Sequence, residues 1–223
     1  MKVTFLGHAS FKIEEDGKIV YVDPWLTGPT SPITIDDVDK ADIVLVTHDH
    51  TDHGFVEGRE ICKKTGAYFV ALNELAHKAG EQGVDNIHTL NIGGSVNIEG
   101  VTVTLVQAFH SAGTGEPTGF IVRFPSNSFY HPGDTGVFAS MSLFSELYSP
   151  IDLFLCPIGG YFTQDIHQAE MAVKLIKPKN VIPMHYNTFP VIEANPEKFK
   201  GMIENSSPDT KVTIIRPGES TEI

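Results

Sequence analysis

Cysteine is the first shortage in this 223-residue chain: two thiols, Cys62 and Cys156, are too few for a disulfide framework. Cys156 lies in the apolar run LFLCPIGG and reads as a small buried hydrophobe, Cys62 falls in an expected helix, and neither is assigned a functional role. Cationic side chains are scarce as well. Sixteen Lys and Arg stand against 28 Asp and Glu, a formal net charge of −12, and such a surface repels phosphate backbones. Nucleic acid is therefore not an expected partner, although a bound metal ion can reverse the field locally. No stretch approaches the roughly 20 apolar residues of a membrane helix, and MKVTFLGHAS lacks the apolar run and cleavage site of a secretory signal. The expectation is a cytoplasmic protein acting on a small molecule, free of membrane, with self-association left open. What is present is an ordinary globular balance, 41% hydrophobic and 20% charged, long enough for a real core.

Short strands and amphipathic helices alternate with no low-complexity linker between them. VTFLG, FKIEE and KIVYVDP read as strands, the last two joined by a turn at Asp16-Gly17. ADIVLVTH has the apolar run IVLV at its centre, as a strand buried on both faces must. A helix is expected near 57–65, ending at Gly66, and a second one capped by Asn73 and ending at Gly80. AYFVAL, NIHTL, SVNIEG and VTVTLVQAFH read as further strands. The second half repeats this outline: TGFIVRFPSNSFYHPGDTG parallels FKIEEDGKIVYVDPWLTG, and IDLFLCPIGG parallels ADIVLVTHDH. A helix near 165–177, strand NVIPMHY, a helix near 196–204 and strand KVTIIRP complete the chain. Residues 1–223 are expected to form a single α/β domain with an internal pseudo-duplication, two β-rich halves packed as facing sheets with helices outside. Periodicity alone also permits one continuous α/β sheet.

The segment THDHTDHG, residues 47–54, directly follows that apolar strand and places three histidines and two aspartates between His48 and His53. Histidine occurs 10 times in 223 residues, so three at fixed positions arise by chance on the order of once in ten thousand windows. A solvated polar loop is a poor account of such crowding. His48 and His50, two apart in extended backbone, project to one side and can share an ion. Asp52 and His53 lie just beyond, where a tight turn aims them at a second ion, and two ions about 3.5–4 Å apart form a hydrolytic centre. The spacing is not H-E-x-x-H, whose histidines share a helical face. Further ligands must come from other strand ends: His110 in TLVQAFHS, Asp134 in FYHPGDTG and His185 in VIPMHYN are the candidates. A carboxylate can bridge two cations, which suits Asp134. Taken singly, each of the three is an ordinary polar strand-end residue; taken together behind the histidine loop, they are not.

These residues resemble the dinuclear members of the metallo-β-lactamase superfamily, whose seven ligand positions are matched by His48, His50, Asp52, His53, His110, Asp134 and His185. The ordered motifs GHAS, DPWLTG, HDHTDHG, AFHS, HPGDTG, PIGGYFT and PMHYNTFP are similar to the UPF0173 metal-dependent hydrolases, related to UlaG-type lactonases, and span residues 7–190. The resemblance implies an αββα sandwich of two mixed sheets. It implies one ion held by His48, His50 and His110, the other by Asp52, His53 and His185, with Asp134 between them. It also implies a bridging hydroxide that attacks an ester, lactone, thioester or phosphodiester, with Asp52 and Asp134 as the carboxylates of the reaction. Zinc is the expected metal, and Mn, Fe or Ni also suit the donor set. His50 stands where oxygen-reducing flavodiiron proteins usually carry Glu, and Gln164 stands where this family is expected to carry Met.

Around the ligands, the resemblance places Asp23 to orient a metal-binding histidine through its second ring nitrogen, although a turn aspartate before Pro24 explains it equally well. His8 follows the first strand, and a structural hydrogen bond accounts for it best. His131 is a candidate to line the pocket, and Trp25 with Leu26 to form an apolar wall. His77, His88 and His167 read as surface or cap residues, and Thr47, Asp49 and Thr51 as loop-shaping ones. Two other functions remain open: a metal-binding regulatory protein without turnover, and a nuclease or phosphodiesterase. Net charge and the lack of room for an added domain count against the nuclease.

Overall fold

Asp16 and Gly17 both take positive φ, 50° and 77°, the tight turn whose twist matches its flanking strands. It joins β2 (Ser10–Glu15) to β3 (Lys18–Val22) in the middle of a sheet. The computed structural model describes residues 1–223. Its first sheet runs β14 (Ser220–Glu222), β1 (Lys2–Gly7), β2, β3, β4 (Ile43–Leu45), β5 (Tyr68–Leu72) and β6 (Ile87–Leu90). The second runs β13 (Lys211–Val212), β12 (Asn180–Met184), β11 (Leu153–Pro157), β10 (Ser128–His131), β9 (Thr118–Arg123), β8 (Val101–Gln107) and β7 (Ser95–Ile98). Both sheets show one pairing pattern. Three antiparallel contacts are followed by three parallel ones, from β14 to β6 and from β7 to β13.

Three apolar clusters define four layers. Val3, Phe11, Val20 and Leu45 of the first sheet meet Val103, Phe120, Phe129 and Leu155 of the second, so the sheets pack face to face. The outer face of the first sheet is covered by α1 (Phe55–Thr65) and α2 (Asn73–Glu81), through Ile61, Leu75 and Ala79. The outer face of the second carries α3 (Ser142–Leu147), α4 (Ile166–Ile176) and α5 (Pro196–Ser206), through Phe144, Val173 and Phe199. Phe11 has no exposed surface at the centre of this packing, and truncating it to Ala costs about 3–5 kcal/mol. This is the expected αββα sandwich. No helix is long and apolar enough to cross a membrane.

Most helix ends follow local chemistry, but α2 (Asn73–Glu81) runs past the expected stop at Gly80 and has Gln82 as its C-cap. Gly66 closes α1 in the left-handed region at φ 78°, and the Asp165 side chain caps α4 by accepting the His167 and Gln168 N–H groups at 2.9 Å. Asn73, expected as a cap, is instead the first residue of α2, because β5 runs directly into the helix and Leu72 holds the cap position without a side-chain bond. The strand expected over KVTIIRP stops at Val212. The chain there leaves the second sheet for β14 in the first, burying Ile215 between the sheets on the way. The short elements α3 and β14 carry too little periodicity to be read from sequence.

Candidate metal centre

Strand direction decides where the titratable residues meet. β1 and β3 run the same way because each is antiparallel to β2, and β4 is parallel to β3. In the second sheet β8 and β10 flank antiparallel β9, and β11 and β12 follow β10 in parallel. The C-terminal ends of these strands lead to His8, Asp23, His48–His53, His110, Asp134 and His185 at one edge of the sandwich. Two backbone bonds tie the sheets together there: His185 N–H donates to the His8 carbonyl at 2.8 Å, and Thr118 N–H donates to the Thr47 carbonyl at 3.1 Å.

The turn out of several strands is strained. His8, Asp23 and His185 hold φ of 56°, 44° and 54°, a region that non-glycine residues enter only when their surroundings impose it. Each turns its side chain toward the shared edge. Gly54, at φ 63°, closes the histidine loop against the Asp23-Pro24-Trp25 turn, and a Cβ there would lie 2.3 Å from the Pro24 carbonyl carbon. Only glycine fits at this crossing.

Ring nitrogens and carboxylates then converge. One group is His48, His50 and His110; a second is His8, Asp52, His53 and His185; a third, His48, His53 and Asp134, joins them, each with ligand atoms within 4.8 Å of one another. His48 Nε2 lies 3.0 Å from His50 Nδ1, which lies 3.3 Å from His110 Nε2. Asp134 places Oδ1 3.2 Å from His53 Nε2, and Oδ2 3.2 Å from His185 Nε2 and 3.5 Å from His110 Nε2. Donors about 2.0–2.1 Å from a tetrahedral ion stand roughly 3.3 Å apart, so these separations suit an ion between them.

Hydrogen bonding behind the cluster sets which nitrogens face inward. Thr47 Oγ1 donates its proton to Asp23 Oδ2 at 2.7 Å, so it accepts from His48 Nδ1 at 3.0 Å. His53 Nδ1 donates to Asp23 Oδ2 at 2.6 Å, and Thr47 N–H donates to Oδ1 at 2.8 Å. His48 and His53 therefore both turn Nε2 lone pairs toward the cluster, the arrangement that metal-binding imidazoles need. His53 Nε2, Asp134 Oδ1 and both ring nitrogens of His185 are buried without a hydrogen-bond partner. Orphaned polar atoms in such number are rare in a folded protein, and a cation satisfies them. The donor set fits divalent metal.

Without an ion, charge distributes among these groups. Burial opposes ionisation of His53, but the carboxylates of Asp134 and Asp23 outweigh it and hold the imidazole well above its ordinary pKa. Burial likewise works against the Asp134 and Asp23 charges, and the neighbouring histidines reverse the outcome, lowering both. His48 falls to about 3 and His8 to about 4, chiefly through burial.

The residues expected around the ligands divide. Asp23 is fully buried and bound to His53 and Thr47. His8 is drawn into the cluster itself: Nε2 is 3.1 Å from Asp52 Oδ2 and Nδ1 is 2.9 Å from Thr188 Oγ1, so its hydrogen bonds are made at the site. The expected pocket-lining role of His131 does not match its position. It is fully buried, with Nε2 donating to the Ala9 carbonyl and Nδ1 accepting from Gly133 N–H, which spends both ring nitrogens on the fold. Trp25 stands edge-on to His8 at 5.5 Å, whereas Leu26 is buried in the outer core of the first sheet. His77 and His167 are exposed and His88 is half-buried, all away from the cluster. Asp49 does more than shape its loop: it accepts from Gly113 N–H at 2.7 Å, Thr114 N–H at 3.1 Å and Lys78 Nζ at 3.0 Å, anchoring the segment after His110. Thr188 and Phe189 were missed beside His8; their position three and four residues after His185 was the available signal.

The chain is similar to known proteins over its whole length. The model of the Beta-lactamase superfamily domain matches residues 2–185. A UPF0173 metal-dependent hydrolase of Methanopyrus kandleri is 46% identical over the full length of both chains. One from Caldivirga maquilingensis is 45% identical, covering 96% of this chain and 95% of the relative. Among solved structures, a metallo hydrolase from the hyperthermophilic archaeon Ignicoccus hospitalis superposes with a TM-score of 0.92 at 40% identity, covering 100% of this chain and 98% of that one.

Proposed function

We propose a two-ion hydrolytic centre for this chain, which belongs to the UPF0173 metal-dependent hydrolases of the beta-lactamase superfamily. The observation that carries the reading is the set of buried donor atoms without partners, His53 Nε2, Asp134 Oδ1 and His185 Nε2, facing the three-histidine group. His48, His50 and His110 would hold one ion and Asp52, His53 and His185 the other, with the Asp134 carboxylate available to both. When bound, such ions polarise a carbonyl or phosphoryl oxygen and bring the pKa of a bound water toward about 7. Zinc suits this nitrogen-rich set best, with Mn, Fe or Ni as substitutes.

The protein's own part is positioning and proton handling. Asp23 locks the His53 tautomer and, through Thr47, that of His48. Asp134, nearly sealed from solvent, remains a carboxylate. Asp52 is the more open of the two acids, its side chain 27% exposed, and is also held ionised: His8 donates to it and outweighs the penalty of burial. It is placed to take a proton and pass it to the departing group of an ester, lactone, thioester or phosphodiester.

Elemental analysis joined to hydrolysis assays tests this reading. Two ions per chain are expected, with turnover of at least one of a panel of esters, lactones, thioesters and bis-p-nitrophenyl phosphate in added Zn²⁺ or Mn²⁺. Two bound ions with no turnover anywhere on the panel would make this a metal-binding regulatory protein. A His50→Ala variant that keeps full metal content and full hydrolysis would overturn the ligand assignment.

A further inference from the structure

We propose that the mouth of this centre is built for an uncharged carboxylic ester with an apolar acyl chain, seated on Phe109, Tyr161 and Phe162 and on the Trp25–Phe189 pair opposite; the inference rests on the hydrolase reading above. All three exposed aromatic side chains of the molecule lie here: Phe109 is 62% exposed, Tyr161 69% and Phe162 52%. Exposed aromatics gathered in one place mark a surface that meets something apolar.

Their backbone fastens them to the metal cluster. Phe109 precedes His110; its N–H donates to Thr135 Oγ1 at 2.9 Å and its carbonyl accepts from Gly136 N–H at 3.2 Å. The turn bearing Tyr161 and Phe162 rests on the same segment, since Gln164 N–H donates to the Thr135 carbonyl at 2.9 Å. Asp134 immediately precedes that segment. The Phe189 ring stands 5.7 Å from His8 and 6.1 Å from Trp25, and with Asn187, Thr188, Pro190 and Glu193 it lines an open cleft of about 400 Å³. An acyl chain whose carbonyl lies over the cluster would run from it onto these aromatic side chains.

Charge around the mouth points the same way. The segments 7–10, 22–28, 47–54, 108–116, 131–138, 158–165 and 184–193 enclose the site and contain no lysine or arginine. Lys78 is the cation that reaches one of these loops, and it is held by Asp49 at 3.0 Å and Thr114 at 2.8 Å. Outside the ligand set the same segments carry the buried Asp23 and also Asp49, Glu116, Asp165 and Glu193. Outside the metal centre itself, a phosphodiester or carboxylate meets acidic side chains and no basic residue to pair with it. A neutral ester escapes that repulsion. Hydrolysis adds water across its acyl C–O bond: the acyl carbon gains the hydroxyl, the alcohol departs with the proton, and the acid ionises.

The test is a chain-length series of p-nitrophenyl esters, acetate to octanoate, beside bis-p-nitrophenyl phosphate. Full burial of a methylene is worth roughly fourfold in affinity, and an open rim about half-covers it, so about twofold per methylene is expected. Across six methylenes kcat/KM should rise about 50-fold. The double variant Phe109→Ser/Phe162→Ser should reduce the octanoate-to-acetate ratio to below about fivefold. A second readout needs neither metal nor turnover: 2-decanone should perturb the fluorescence of Trp25, the sole tryptophan, in metal-free protein at lower concentration than 2-butanone. Acetate hydrolysis with a flat chain-length profile, or preference for the phosphodiester over octanoate, overturns the inference and leaves the hydrolase reading standing. Ion binding without turnover of any substrate overturns the hydrolase reading instead. If the double variant converts an oligomer to a monomer in sedimentation while 2-decanone fails to bind, the aromatic rim is an interface between copies and the inference falls.

Discussion

His53 is sealed from solvent with the Asp23 carboxylate 2.6 Å behind its ring, whereas His50, three residues earlier, is half-buried and faces other imidazoles. The contrast extends to the groups they belong to. His48, His50 and His110 include two half-buried residues on loops, and the segment after His110 is anchored through Asp49 at the surface. His53 and His185 are almost wholly buried; Asp23 backs the His53 ring, and the His185 turn, at φ 54°, is held by the bond from its N–H to the His8 carbonyl across the sheets. On the two-ion reading, the position of His53 and His185 is the more preformed of the two, with Asp52 completing it from the histidine loop, its side chain 27% exposed. A preformed site loses less order when it captures an ion, so the buried position should bind more tightly.

Removing what the two halves share should have the largest effect. Asp134→Ala is expected to release both ions and lower affinity at each position by more than about 100-fold, beyond the usual cost of a residue behind a ligand. Metal titration against a chelator reads this directly, and loss at one position alone would separate the halves. Asp23→Ala comes next. With His53 and Thr47 left without their acceptor, affinity at the buried position should fall about 10–100-fold, while the three-histidine position, touched only through Thr47, changes less. Equal losses at both would erase the contrast.

Acid should then weaken the metal-free protein. Burial holds His8 near pKa 4 and His48 near 3, so the unfolded chain takes up protons below about 6.5 that the folded chain refuses. Stability is expected to fall by on the order of 1–3 kcal/mol as pH drops from about 6.5 to about 4. His53 acts in the opposite window: its raised pKa stabilises below about 6.5, and that contribution is lost as pH rises through the folded value. Thermal unfolding with chelator present follows both limbs, and His8→Gln should flatten the acid one. The smallest effect is expected at the loop anchor. Asp49→Ala should reduce affinity at the three-histidine position by less than about tenfold and speed amide exchange over residues 110–116, leaving the buried position unchanged. Unaltered exchange there would show that the segment is held by something other than Asp49.

Much of the fold was legible because it is written locally. Asp16-Gly17 dictates a hairpin, Gly66 ends a helix, and the unbroken ADIVLV run requires a strand covered on both faces. Elements that depend on distant partners were not legible. Residues 220–222 become a strand only because β1 leaves an edge for them, and KVTIIRP is cut short because the chain must change sheets. Around the site, His131 looked like its neighbours in HPGDTG until the Ala9 carbonyl and Gly133 N–H were seen to consume its nitrogens. His8 looked structural until Asp52 was found beside it.

By itself the sequence determined the donor types, their spacing in HDHTDH and their recurrence at strand ends, because covalent spacing and side-chain alternation operate within a few residues. Only the tertiary structure decided which ring nitrogens face one another, that Asp23 stands behind His53, and that Phe109, Tyr161 and Phe162 are left exposed. Those relations span up to 180 residues, as between His8 and Thr188, and arise from strand direction and sheet packing. Hydrogen bonds across the sheets select them; no local pattern encodes them.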